Sequence, residues 1–345
     1  MSPGLLRYLA GRLLRALLTV VGLVTIVFLL VRLIPGDPVE AILGDQAGPE
    51  EKAELRRALD LDRPIGAQYV SFLEDLADGT MGASFRRPDR SVWSLMQEVL
   101  PHTIILALAA LAVAWSVAVP LGTLAAARAG QGWDKLASAT AVAGLAIPNI
   151  WLGPLLILAF GVKLRWLPLP GDDLAGPEAL ILPAITVGTA LAAILTRQTR
   201  ASMIEVRSQQ YLTAARARGL RSSVRLLRHG LRTALLPVRT IGAAQLGALL
   251  SGTVVTEKIF ERPGLGTLFL DAFFARDIPV VQGCVLVIAV IYVIVNETSP
   301  KCSIFRTGLG PMTSSCKLAE SLIISGSGLT GRLGEFIDWS EELEG

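Results

Sequence analysis

The side chains best suited to covalent or metal chemistry are scarce here and badly spaced for it. Two histidines, His102 and His229, and three cysteines, Cys284, Cys302 and Cys316, form neither a metal-ligand pattern nor a paired framework. No paired acids, Ser/His pair or His-x-x-x-His falls inside an apolar block, which argues against an intramembrane enzyme. No Gly-x-x-x-x-Gly-Lys-Ser/Thr phosphate loop occurs, so ATP hydrolysis by that route is not expected. What the chain concentrates instead is guanidinium. Arginines 197, 200, 207, 216, 218, 221, 225, 228 and 232 face a single acid, Glu205. Inside that run lies Ala214-Ala215-Arg216-Ala217-Arg218-Gly219, a helix-forming stretch closed by a residue able to take positive φ. Small alanines permit close approach to another surface, and a glycine fixes a sharp turn. No cofactor and no metal are expected. The competing reading is a basic loop that only obeys a topology rule or touches anionic lipid.

The elements that must position this loop are apolar blocks. Hydrophobic residues make up 52% of the 345 and charged residues 18%, a balance that points to lipid as the main solvent. About 20 mostly apolar residues cross the hydrocarbon core. Thr103–Ala127 and Leu136–Val162 meet that without a charge, and Leu13–Ile34 meets it if Arg15 and Arg32 snorkel to opposite interfaces. Leu180–Thr196, Leu235–Thr256 and Pro279–Val295 complete an expected set of about six spans. The fold class is therefore an all-α integral membrane protein. The first block is longer than a signal h-region and has no small-x-small site close behind it, so it reads as an uncleaved span.

Loop charges orient the bundle. The positive-inside rule places the Arg197–Arg232 loop in the cytoplasm, and counting along the spans places both termini there too. The Gly36–Pro101 segment then lies outside, with thirteen acids against seven bases. Ile65, Tyr69, Phe72, Leu73 and Leu76 form a stripe at helical spacing closed by Asp78-Gly79, and Leu55 and Leu59 lie one turn apart, so two short amphipathic helices are expected there. In the basic loop, Ser222 or Ser223 is expected to cap a second helix running toward Pro237, with Val224, Leu227 and Leu231 on one face.

At this point the residues resemble a family. Ala214-Ala215-Arg216-Ala217-Arg218-Gly219 followed by Leu235-Leu236-Pro237 is similar to the "EAA" loop of binding-protein-dependent ABC permeases, in the dipeptide/oligopeptide/nickel branch, with Thr213 where the motif has Glu. Arg32-Leu33-Ile34-Pro35-Gly36-Asp37-Pro38, Leu59 to Tyr69, Gly79 to Ser84 (Thr80 standing where Asp is favoured), Pro120-Leu121-Gly122, Ile147 to Gly153, Trp166 to Gly171, Arg262-Pro263-Gly264-Leu265-Gly266 and Asp277 to Gly283 resemble further landmarks in the same order. The resemblance covers roughly residues 5 to 296. It implies a non-catalytic subunit of the bacterial cytoplasmic (inner) membrane whose partners are a second homologous permease, ABC ATPase subunits and an extracytoplasmic solute-binding protein, with no nucleic acid. It implies that Ala214, Ala215, Arg218, Gly219 and Pro237 form the ATPase-coupling loop and that the cargo is peptide-like.

Three segments follow: 1–101, the first span and outer helices; 102–296, the transport core with the coupling loop at 197–234; and 297–345, an off-pattern Gly/Ser-rich tail. An out-of-frame translation explains that tail better than a divergent end, because composition changes abruptly in mid-helix. Asn149, Gln245 and Thr253 are polar groups within spans and the candidates for lining a pathway. A self-contained secondary transporter is the alternative; it predicts inverted repeats and intramembrane carboxylates, and neither is found.

Overall fold

Apolar chain without water to serve its peptide groups closes into helices, because the intrahelical ladder pairs every interior N–H and C=O. The computed structural model describes residues 3–32, 37–44, 47–171 and 176–298. Among them the only β feature is an isolated bridge between Ala83 and Ser91. The order is α1 (Pro3–Arg32), α2 (Pro38–Leu43), α3 (Pro49–Ala58), α4 (Ile65–Ala77), α5 (Val92–Ala127), α6 (Gly132–Ala146) and α7 (Asn149–Leu156), the last running on as a π-helix over Ile157–Lys163. A 3-10 turn, Pro177–Leu180, leads into α8 (Ile181–Arg207), then α9 (Gln210–Ala217) and α10 (Ser222–Val224). A π-helical turn over Arg225–Gly230 joins α10 to α11 (Leu231–Ile259), followed by α12 (Leu265–Phe274) and α13 (Ile278–Thr298).

Among the described residues, helices lie over the expected apolar blocks, three of them long and apolar enough to count as spans singly. Among the described residues Val92–Ala127, Pro177–Arg207 and Ile278–Val295 are each long and apolar enough to cross a membrane, while Leu18–Arg32 is a shorter apolar helical stretch. The third expected span, Leu136–Val162, is not one rod: α6 and the α7 segment meet at 98° and qualify only as a pair. Pro148 causes the break, since it lacks an N–H and disfavours helical backbone at Ile147. Helix α13 runs through Thr298. The remaining tail lies outside the described residues.

Packing divides the chain into two units. The first comprises residues 1–117, 141–194 and 243–298. Its core joins Val27 and Val31 of α1, Val92, Leu95 and Met96 of α5, Leu265 and Ala272 of α12, and Val280, Val281, Cys284 and Val287 of α13. A second cluster sets Phe72 of α4 against Val24 and Phe28 of α1, with Tyr69 and Leu76 beside it. The Tyr69 ring meets Phe28 edge-on at 4.9 Å, and the Tyr69 and Thr25 hydroxyls lie 2.8 Å apart. Two members of the expected stripe do not join: Ile65 and Leu73 are exposed. Arg32 turns back at the end of α1, donating to the Phe28 carbonyl at 3.0 Å and to Gln68 Oε1 at 2.7 Å, with its guanidinium 3.4 Å from the Phe28 ring centre. That contact supplies hydrogen-bond acceptors and an aromatic face to a half-buried cation. The Asp78-Gly79 close of α4 is present, with Gly79 at φ +73°.

The second unit comprises residues 118–140 and 195–242 among those described. Its core is Ala126, Met203, Val206, Leu212 and Ala234. Helices α5 and α8 touch closely here: a Cβ on Gly122 would lie 2.6 Å from Thr199 Cβ and 2.8 Å from the Thr196 carbonyl. No larger residue fits that crossing without moving backbone.

Candidate coupling site

Helix α8 does not stop where its apolar stretch ends; it carries the first arginines of the basic loop out to Arg207. Ser208 and Gln209 terminate it, their N–H groups donating to the Glu205 and Val206 carbonyls at 3.2 and 3.1 Å. After this two-residue joint comes α9. It buries only Leu212, which sits against Met203 and Val206 of α8, Ala126 of α5, and Ala234 of α11. Every other face is open: Tyr211 is 43% exposed, Ala214 is exposed and Ala215 half-buried.

The end of α9 is a Schellman motif. Gly219 N–H donates to the Arg216 carbonyl at 3.0 Å and Leu220 N–H to the Ala215 carbonyl at 3.3 Å, with Gly219 at φ +76°. Nothing lies within 4 Å of a Cβ built on Gly219, so backbone conformation alone selects glycine there. Arg218 caps the helix and is exposed. The structure thus gathers Ala214, Ala215, Arg218 and Gly219 into one exposed turn, whereas Pro237 stands apart inside α11, just beyond the buried Ala234.

Two expectations for the second helix need correcting. Arg221, not Ser222 or Ser223, holds the N-cap position, and no side chain caps it. Val224 and Leu227 are exposed at 37% and 57%, while Leu226 joins Leu231 beside the core. The π turn over Arg225–Gly230 explains the change of face: a wider turn displaces the register, so 3.6-residue spacing cannot be carried across it. Gly230 is buried, and a Cβ there would lie 3.7 Å from both Leu212 and Val206.

The pathway candidates are scattered. Asn149 is half-buried at the first residue of α7, Gln245 is half-buried on α11, and Thr253 has no exposed surface. Among the described residues no group of three or more His, Cys, Asp or Glu is placed to hold a metal.

Sequence reasoning missed three buried carboxylates. Glu257, 1% exposed, accepts from the Thr103 hydroxyl at 2.7 Å and from the Gly266 and Thr267 N–H groups at 2.8 and 3.3 Å, at the N-terminus of α12. A carboxylate suits that end of a helix, where backbone donors are otherwise orphaned. Gly264 and Gly266 are the residues that let α12 approach this close, because a Cβ on either would collide with Glu257 or Val254. The Pro263-Gly264-Leu265-Gly266 run was thus the available signal. Asp277 accepts from the Ser84 hydroxyl and from Phe85 N–H, the latter at 3.1 Å. Asp134, the lone acid beside Arg128 and Lys135, binds Arg200 with both oxygens, at 2.5 and 2.8 Å.

Known proteins place this geometry. The profile described as "Binding-protein-dependent transport system inner membrane component" matches residues 118–297, and that of the N-terminal part of such membrane components matches residues 5–107. The di/tripeptide transport system permease protein DppB of Pseudomonas aeruginosa is 36% identical over 319 residues, covering 85% of this chain and 95% of the relative. The oligopeptide permease protein AppB of Bacillus subtilis is 35% identical, covering 84% and 94%, and the glutathione permease protein GsiC of Pectobacterium atrosepticum is 38% identical, covering 85% and 94%. An arginine-rich loop that projects a short helix, on a largely apolar helical frame matched nearly end to end by these relatives, makes the chain a member of the inner-membrane permease components of binding-protein-dependent ABC importers, a non-catalytic transport subunit of the peptide-type branch.

Proposed function

We propose that this chain pairs with a second homologous permease to form the pathway for a peptide-like solute, delivered by an extracytoplasmic binding protein and driven by separate ATPase subunits that seat on α9. The observation that carries the proposal is the state of α9: one buried anchor, Leu212, and otherwise open faces presenting Tyr211, Ala214 and Arg218. Tyrosine and arginine beside small residues are the composition of a protein-binding hot spot. Exposed apolar side chains elsewhere, including Leu18, Val21, Ile26, Leu29 and Leu30 of α1, suit lipid or a second permease.

In this reading six spans cross the bacterial cytoplasmic membrane, both termini and α9 are cytoplasmic, and α2–α4 stand outside. Residues 102–296 form the transport core, and Ala214, Ala215, Arg218 and Gly219 are the ATPase contacts, with Pro237 in the helix behind them. Asn149 and Gln245, both partly open, are the first pathway candidates, with Thr253 enclosed in this state. A peptide-like cargo is supported by relatives named for di/tripeptides, oligopeptides and glutathione. The test is uptake of labelled di- and tripeptides by proteoliposomes with and without co-purified ATPase subunits. Uptake only with the ATPases and ATP is expected; uptake by the chain alone would favour a secondary transporter instead.

A further inference from the structure

The nine arginines of the basic loop are not interchangeable. Seven residues apart on α8, Arg200 and Arg207 share one face, and both hold the connection between α5 and α6. Arg200 Nε and Nη2 grip the two Asp134 oxygens at 2.5 and 2.8 Å, in the bidentate geometry only a planar guanidinium provides. Asp134 is 5% exposed and also accepts from Gly130 N–H at 2.8 Å, so the same carboxylate closes the turn in which Gly130 sits at φ +83°. One step along α8, Arg207 donates to the Ala126 carbonyl and to that of Ala127 at 3.4 Å, covering the last acceptors of α5. Ala126 is in turn part of the cup that receives Leu212 of α9. Three polar ties and one apolar anchor therefore converge on the residues to which α9 is attached.

We propose that Asp134, Arg200 and Arg207 are positioning residues that lock the end of α8, from which α9 springs, to the α5–α6 connection, so that load applied to α9 reaches α5 and α8 together. A positive-inside count needs none of this, since it is met by arginines with no partner at all. The inference rests on the reading of α9 as the ATPase seat. Without the tie, motion entering α8 through the Ser208–Gln209 joint would reach α5 only through the Leu212 cup, and the frame would no longer move as one piece.

The test uses the assembled transporter in proteoliposomes, with labelled di- and tripeptides as probe and ATP hydrolysis measured in parallel. In Asp134→Asn and in Arg200→Gln, uptake per ATP hydrolysed should fall about tenfold, a coupling loss of ordinary size, while the ATPases stay bound. The double variant should be no worse than either single one, and Arg200→Lys should recover part of the ratio. Uptake and hydrolysis falling in parallel, additive losses, or wild-type ratios in both single variants would overturn the proposal. Tyr211→Asp on the open face of α9 separates the two claims. If it uncouples while the clamp variants do not, the clamp alone is wrong; if none of them uncouples, the α9 reading falls as well. If only the clamp variants uncouple, the load does not enter through α9, and both the seat and the proposal as stated are overturned.

Discussion

The Thr103 hydroxyl works in two directions at once: it donates to Glu257 Oε1 at 2.7 Å and accepts the Leu265 N–H at 2.8 Å. One side chain thereby links α5, the end of α11 and the start of α12, in a site where water does not reach either partner. Buried polar groups of this kind are costly when left half-made and act as a unit when complete.

Thr103→Val should therefore cost about 1–3 kcal/mol, because it leaves Glu257 short of a donor and Leu265 N–H without its acceptor. Glu257→Ala should cost more, by exposing three donors together. The double variant should fall well short of the sum, which thermal unfolding of the four proteins in detergent would measure. Additive losses would mean that the two side chains act separately.

Leu212→Ala removes the single buried anchor of α9. A loss of about 2–4 kcal/mol in local packing is expected, at the low end if the cup closes over the smaller side chain. Amide exchange of residues 210–217 should quicken while the exchange of α13 stays unchanged, and uptake should fall with it.

Gly219 tests conformation apart from bulk. Since a Cβ meets nothing within 4 Å, Gly219→Ala should be about as harmful as a larger residue, at a strain of roughly 1–2 kcal/mol, and Gly219→Asn should be milder because Asn tolerates the left-handed region. Uptake in the three variants, glycine best and Asn between, checks the order. Equal activity of Ala and Gly would show that the turn relaxes.

The Asp134 clamp has a defined pH range. Hydrogen bonding to Arg200, then to Gly130 N–H, brings the Asp134 carboxyl from its ordinary 3.8 down to about 2. A depressed carboxylate contributes stability that is fully present above the unfolded value and is lost as pH falls through the folded one. The thermal-stability gap between wild type and Asp134→Asn should thus be flat between about pH 5 and 8 and shrink below about pH 4.

Asp75 is the opposite case. Desolvation, then Asp78 and Glu74, raise its carboxyl, so its charged form is disfavoured in the folded chain. Asp75→Asn should hold or raise thermal stability at neutral pH, and the gain should vanish as the medium is acidified.

What the sequence made legible was local. Apolar blocks announced the long helices, Asp78-Gly79 and Gly219 announced their turns, and the Ala214–Gly219 run led to the open helix. Pairings distant in the chain carried no such mark: Thr103 and Glu257 are separated by most of the transport core, and Asp134 reads as one acid among bases until Arg200 is seen to face it. The 98° corner at Pro148 lies inside a block, Leu136–Val162, whose apolar run reads as a single span. The exposed Val224 and Leu227 follow from assuming one uniform helical pitch, whereas the cap expected at Ser222 or Ser223 failed because the helix begins earlier, with Arg221 at the N-cap.

That wide turn at Arg225–Gly230 has a corollary for the length of the loop. It accommodates a surplus residue without disturbing the helix on either side, so removing one residue there would tighten it to ordinary pitch. A residue removed from the regular part of α11 has no such bulge to take up the change, and would turn the segments on either side of the gap by about 100° relative to each other, in keeping with 3.6 residues per revolution. A single-residue gap at Arg225–Gly230 is therefore expected to leave α9 and its arginines aimed as they are, so the length of this loop can vary by one residue without turning the helix that follows Ser208–Gln209.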